Sequence, residues 1–336
     1  MQEQKTIKEM ITQQWIKDEM LYSGFGKDVD SIYSAVLAYN FFGWKPGSFY
    51  NNQELYILKG APYYSFSQND LKHINRYVFL DSCYCAYEAK HVDNHQALIY
   101  AENSVNFARD NPLIREGDKK TSYKTHYKNK YKGNTAINIY TMAGREPTTL
   151  KEIAFVLYID SVFDIYYDKK YTKNFVQWMK RIGQNNILKA LENHFLEIEK
   201  IIKNEIAPFF NKFHKSKSID DPDRVVPKNR QGNVKIIGGR LSNDFYEIID
   251  FIKYMTGFSI PITLLLDLDF QFVEKYHSNK KEIDSVAEML NLYKELEKLR
   301  DQNILVSNAM TNAMTVRFTT SVKINCEFML NPEYPE

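Results

Sequence analysis

Cysteine is scarce. The chain has only Cys83, Cys85 and Cys326. An odd, small number excludes a disulfide framework and fits a reducing compartment. Long apolar runs are missing as well. No stretch of about 18 uncharged apolar residues occurs, which excludes a membrane-spanning helix. The opening MQEQKTIKEMITQQW lacks the basic and apolar regions of a signal peptide. The expected location is therefore the cytoplasm, or a particle made in the cytoplasm. Charge of one sign is lacking too: 44 Lys and Arg stand against 42 Asp and Glu, a net charge of +2. Any nucleic-acid role must then come from a local patch. Finally, the sequence contains no Gly-x-Ser-x-Gly elbow, no P-loop or dinucleotide glycine pattern, and no Cys/His nucleophile signature.

What is present is enough for a real core. The 336 residues are 44% hydrophobic and 26% charged, so the class is globular. Aromatics reach 14%, with 24 Tyr and 21 Phe. Tyrosine offers contact area with a polar tip, and a Tyr-rich surface is prone to interaction. An A+T-rich genome gives the same enrichment without any functional cause.

Periodicity and punctuation predict an α+β fold with a mainly helical N-terminal two-thirds, a β-hairpin arm and a mixed α/β C-terminal domain. Residues 1–118 read as a helical region. Apolar stripes predict helices over 6–22 and 28–42, a Ser67/Asp70 capping box opens one towards Lys90, and Asn94 caps one to Asp110. Residues 119–145 read as the arm, with Gly133-Asn134 as its turn and 136–142 as its second strand. Residues 146–215 form a central helical region, capped by Thr148 or Thr149 and broken at Gly183. Residues 216–232, polar with two prolines, read as a linker. Residues 233–336 form the C-terminal domain: a helix over 242–255, a strand over 262–272, a helix over 280–300, and an amphipathic strand over 314–330. At ~3.3 Å per residue that last strand reaches over 50 Å if unbroken, against a usual length near 17–20 Å.

Several constellations could carry chemistry. The arm concentrates six lysines in the fourteen residues 119–132, with three tyrosines between them. Lys120, Lys124, Lys128, Lys130 and Lys132 could neutralise phosphates, while Tyr123, Tyr127 and Tyr131 could stack on bases. The same pattern suits an arm that docks on a neighbouring subunit, or an edge strand guarded by lysine. Asp160, Asp164 and Asp168, at i, i+4 and i+8, share one helix face and are candidate Mg²⁺ ligands. With Asn243-Asp244 they do not complete the paired motif of isoprenoid synthases, because Glu247 and Phe251 stand where other residues are needed. His91 and His95, at i, i+4, could grip a metal from one helix, with Cys83, Cys85 and His73 nearby in sequence. Asp267 and Asp269 flank Leu268 and would share one face of a strand. Gly238-Gly239-Arg240 before a helix could seat an anion.

The function expected from arms, edges and missing catalytic motifs is non-enzymatic: a structural subunit of a larger assembly, of virion or tail-like type. It would engage other protein subunits, its own copies or different ones, through the hairpin and the C-terminal strand. Nucleic-acid binding through the Lys/Tyr hairpin is one alternative, and a Mg²⁺-dependent enzyme using the aspartate stripe another. No cofactor is expected under the first reading.

Overall fold

The computed structural model describes residues 6–51, 53–82, 84–95, 97–107, 133–159, 162, 172–213, 234–283, 285–312 and 315–324. The fold is α+β, and no helix among the described residues is long and apolar enough to cross a membrane.

A seven-stranded sheet organises the molecule, in the order β6-β5-β4-β1-β2-β3-β9. The first five strands are parallel to one another: β1 (Tyr22–Gly26), β2 (Lys45–Asn51), β4 (Tyr77–Leu80), β5 (Lys90–Val92) and β6 (Asn103–Val105). Strands β3 (Glu54–Leu58) and β9 (Phe270–Lys275) add antiparallel pairs at one edge. The chain leaves β1 through helix α2 (Val29–Phe42) to reach β2 on one side. It returns to place β4, β5 and β6 successively on the other. The direction of winding therefore reverses between β1 and β4.

Side chains of β4 show how the sheet is covered. Val78 and Leu80 enter the helix-packed core, while Tyr77 and Phe79 enter an aromatic layer on the opposite face. The helical face holds α2, α3 (Thr135–Met142), α4 (Leu150–Tyr158) and, further along the chain, the fourteen-residue helix Asn243–Thr256. The aromatic face stacks Phe79 on Tyr84 with centroids 3.7 Å apart, beside Tyr64, Phe66 and Tyr276. Rings fully enclosed in this way each contribute roughly 1.5–3 kcal/mol of transfer free energy. Gly24 is required within β1, since a Cβ there would lie 2.7 Å from Ser48 Oγ and 2.8 Å from Phe79 Cδ1.

The remaining helices follow in order: α5 (Thr172–Arg181), α6 (Asn185–Asn193), α7 (Phe195–Ile201) and α8 (Ala207–Asn211), then α9 (Asn243–Thr256) and α10 (Ile262–Leu266). A small hairpin, β7 (Ile236–Ile237) and β8 (Arg240–Leu241), precedes α9. A second sheet, β10-β12-β11, is antiparallel: β10 (His277–Glu282), β11 (Leu305–Asn312) and β12 (Thr315–Thr320). Helix α11 (Val286–Asp301) packs on it through Met289, Leu292 and Leu296.

Several sequence expectations need correction. The expected helix over 6–22 is cut to α1 (Ile7–Ile11) and a 3₁₀ turn, Gln14–Lys17. Among the described residues no α-helix runs from Ser67 or from Asn94; a 3₁₀ turn (Ile74–Arg76) and strands β4, β5 and β6 occupy those regions, so the N-terminal part carries the parallel sheet. The expected second hairpin strand is instead the buried helix α3. Its Thr and Ile content favours a strand, but its first amides are taken up by its own N-cap and by one tertiary partner. Asn134 Oδ1 accepts from Ile137 N (2.8 Å), and Asp30 accepts from Thr135 N (2.7 Å) and Ala136 N (3.0 Å). That satisfies most of the donors a helix start leaves orphaned. The expected strand over 262–272 begins as α10 after Pro261, whose fixed φ starts a helical turn, and becomes strand only at Phe270. The terminal strand stops at Thr320, where Ser321 N bonds back to Ile304 O (2.9 Å). Residues 325–336 lie outside the described residues. The segment 216–232 does too, but β9 from beyond it pairs with β3 from before it, so both sides share one sheet and one core.

Candidate metal centre

Four parallel strands end in a carboxylate or carboxamide. Asp28 and Asp30 follow β1, Asp81 follows β4, Asp93 follows β5 and Asn106 follows β6. Open α/β sheets bind ligands outside the carboxyl ends of their strands, where the winding reverses. Here the winding reverses between β1 and β4; Asp81 follows β4 at that point, while Asp93 and His95 follow β5, one strand further along the rim.

Asp93 is fully buried, and its Oδ1 accepts the amides of Asn94 (2.7 Å) and His95 (3.1 Å). The same oxygen lies 2.8 Å from His95 Nδ1, and Asp81 Oδ1 lies 3.6 Å from that nitrogen. Ligand atoms of Asp81, Asp93 and His95 all fall within 4.8 Å of one another. The carboxylates are enclosed at 6% and 0% side-chain exposure, while the imidazole is open to solvent at 45%. The centre is thus anionic inside and accessible through the histidine.

Its backbone is fixed from several directions. Asp81 adopts a left-handed φ of 57°, which aspartate tolerates better than most residues. Its amide still pairs with Val92 O (2.9 Å), and Asp93 N pairs with Val105 O (3.1 Å). Thr135 Oγ1 at the start of α3 donates to Asp81 Oδ1 (3.1 Å). Asn138 Nδ2 donates to Asp93 O (2.8 Å), Asn106 Nδ2 to His95 O (2.6 Å), and Asn94 Nδ2 to Gly133 O. Asp28 caps α2 by accepting Ser31 N (2.8 Å). Asp30 accepts the first two amides of α3 and also Ser34 Oγ (3.4 Å).

Tyr50, at the end of β2, donates its hydroxyl to Asp81 O (3.2 Å). Burial of the phenol holds its pKa well above the ordinary 10.0, and the charges of Asp81 and Asp28 push the same way. It stays protonated beside the centre.

The donor set fits a divalent cation. Oxygen or nitrogen ligands about 2.1 Å from an ion, at angles of 90–109°, stand roughly 3.0–3.4 Å apart. His95 Nδ1 and Asp93 Oδ1 are hydrogen-bonded at 2.8 Å and Asp81 Oδ1 stands 3.6 Å from the same nitrogen, so a cation would take the place of the proton between them, with all three ligand atoms inside 4.8 Å. Two carboxylates and one imidazole suit Mn²⁺, Zn²⁺ or Mg²⁺, with open positions for water and substrate.

The sequence candidates fare unevenly. His95 belongs to the centre, but not through i, i+4 pairing with His91. That spacing presumed a helix; His91 lies on β5, buried, with Nδ1 3.0 Å from Tyr84 O. Burial pushes the Cys85 thiol up to about 12, so it is not a thiolate ligand. Asp267 ends α10, and Asp269 pairs with Lys59 Nζ at 2.6 Å, so neither stands in the strand pair expected. Gly238 and Gly239, with φ of 58° and 83°, form the turn of the β7–β8 hairpin rather than a helix N-terminus. Lys120, Tyr123, Lys124, Tyr127, Lys128, Lys130, Tyr131 and Lys132 lie outside the described residues, as do Asp160, Asp164 and Asp168. Sequence reading passed over Asp28, Asp81 and Asp93. The available signal was a short apolar run ending in Asp or Asn, repeated at Leu80-Asp81, Val92-Asp93 and Val105-Asn106.

No family model matches the chain, and no curated protein or solved structure matches it.

Proposed function

We propose that this chain is a divalent-metal-dependent hydrolase of phosphoesters, with the metal held by Asp81, Asp93 and His95. The observation that carries the reading is the convergence of those three ligand atoms within 4.8 Å at the carboxyl ends of the parallel strands. A cation bound there supplies Lewis acidity and an activated water at neutral pH. The protein's own groups hold that arrangement. Thr135 and the Asn94 and His95 amides orient the carboxylates, and Tyr50 keeps a neutral donor beside Asp81.

The phosphoester class rests on charge. An acidic pocket with a cation in it recognises an anionic oxygen substrate. The lysine-rich run 119–132 also joins the described chain at Gly133, whose carbonyl is bonded to Asn94. That run lies outside the described residues, and as a sequence feature it suits a polyanion such as nucleic acid.

The test uses protein stripped with EDTA and titrated with Mn²⁺, Zn²⁺ and Mg²⁺ by calorimetry. Hydrolysis of bis-p-nitrophenyl phosphate and of a short oligonucleotide is then assayed. Asp93→Asn is expected to weaken metal binding and turnover by at least ~100-fold, since even residues behind the ligands are worth 10–100-fold. Wild-type protein that takes up none of the three cations, or hydrolysis indifferent to EDTA and to this substitution, sinks the reading.

A structural assembly subunit ranks second. Strand β12 is flanked on both sides by β10 and β11 and offers no free edge, and the expected second arm strand is α3. Solution mass by light scattering at low and high salt tests this alternative. A ring-sized mass that persists in high salt would restore it.

A further inference from the structure

The C-terminal sheet reaches the two loops that carry the centre, and one side chain makes most of the connection. Asn308 lies on β11 and is 1% exposed. Its Oδ1 accepts the amides of Leu98 (2.7 Å) and Ile99 (3.1 Å). Its Nδ2 donates to Ile99 O (2.8 Å) and to Cys85 Sγ (2.8 Å). Leu98 is three residues past His95, and Cys85 is four residues past Asp81. The backbone adds its own contacts: Cys85 N donates to Val306 O (2.9 Å), and Tyr84 forms a bridge with Ser307. Cys85, Leu98 and Ile99 are buried among Leu292, Leu296 and Phe318 of the C-terminal core.

We propose that Asn308 is a positioning residue for the metal centre. This rests on the reading of Asp81, Asp93 and His95 as ligands. Through its carboxamide the C-terminal sheet fixes the spacing between the Asp81 loop and the Asp93–His95 loop, and with it the affinity for a divalent cation. Ligands need their geometry held to within about 0.5 Å, and a carboxamide with acceptor and donors both engaged holds two loops at once. Loss of such support lowers metal affinity 10–100-fold.

The full chain carrying Asn308→Ala is compared with Leu296→Ala, which opens a cavity in the same core and leaves the carboxamide in place. Mn²⁺ affinity is read by calorimetry. Amide exchange at Asn94 and His95 is read by mass spectrometry on the metal-free proteins. Asn308→Ala is expected to weaken Mn²⁺ at least 10-fold and to speed exchange at both amides at least 10-fold. Leu296→Ala melts earlier and does neither. Unchanged Mn²⁺ affinity in Asn308→Ala, or equal losses in both variants, overturns the proposal. Should Asn308→Ala fail to fold, Asn308→Asp keeps the acceptor for Leu98 and Ile99 and removes the donors; a smaller loss in the same two readings is then expected, and no loss overturns the idea. Wild-type protein that binds no Mn²⁺ refutes the ligand assignment, and the exchange comparison alone then judges Asn308, with unchanged exchange deciding against it.

Discussion

The parallel strands and the antiparallel C-terminal sheet treat their strand ends differently. Strands β1, β4, β5 and β6 run the same way, so their carboxyl ends line up along one rim, and the rim collects Asp28, Asp81, Asp93 and Asn106. Strands β10, β12 and β11 alternate in direction, so no rim gathers like ends. Polar residues there pair on the exposed surface, as Lys280 does with Glu282 at 2.7 Å. Direction alone thus decides where chemistry can gather. The antiparallel sheet serves by holding loops of the other sheet from outside.

Alkaline titration should separate the two regions most strongly. Burial raises the phenol pKa values of Tyr33, Tyr50, Tyr64, Tyr77, Tyr84, Tyr140 and Tyr276 above the ordinary 10.0, and all seven lie in or beside the seven-stranded sheet. A folded-state pKa above the unfolded value gives stability that is complete below pH 10 and drains away as pH rises beyond it. Tyrosinate absorbance is expected to appear cooperatively above pH 10, together with loss of circular dichroism. Gradual ionisation in a still-folded protein would contradict the burial described. The next largest effect belongs to the C-terminal core. Leu292→Ala, at 0% exposure, should cost about 2–5 kcal/mol in denaturant melts and leave Mn²⁺ affinity within about twofold. Asp93→Asn should do the reverse, losing at least ~2.8 kcal/mol of metal binding for a 100-fold change, with little change in the metal-free melt. Asp30→Ala strips two amides at the start of α3 of their acceptor, and each buried amide left unpaired is expected to cost about 1–3 kcal/mol in stability. A loss confined to catalysis would instead reassign Asp30 as a ligand.

Much of the helical layer was legible from caps. Asp28 and Gly43 bound α2, the Thr149–Glu152 capping box opens α4, and Gly257 closes α9 at a φ of 78°. Strand β12 was legible from alternation, with Val316, Phe318 and Thr320 inside. The parallel strands were hidden because they are short and covered on both faces, which removes alternation. Strand β1, Tyr-Ser-Gly-Phe-Gly, also replaces the usual β-branched residues with glycine where Phe79 and Ser48 need the room. The centre was half visible. His95 stands out in the sequence through its distance from His91, yet what sets it beside Asp81 and Asp93 is a strand ending at Val92 next to another ending at Leu80. Short-range spacing does not encode which strands become neighbours.

The bond between Asn308 and Leu98 spans 210 positions, and that separation has a temporal side. A ribosome supplies Asp28, Asp81, Asp93 and His95 well before β11. During that interval the nascent chain holds these acidic groups without the Asn308 carboxamide that bonds Leu98 and Ile99, and β3 waits for β9 to cover its edge. Pairings so distant close late and slowly. On the proposed reading, a chain made only as far as His95 is a poor cation trap, and competence arrives when β11 joins it.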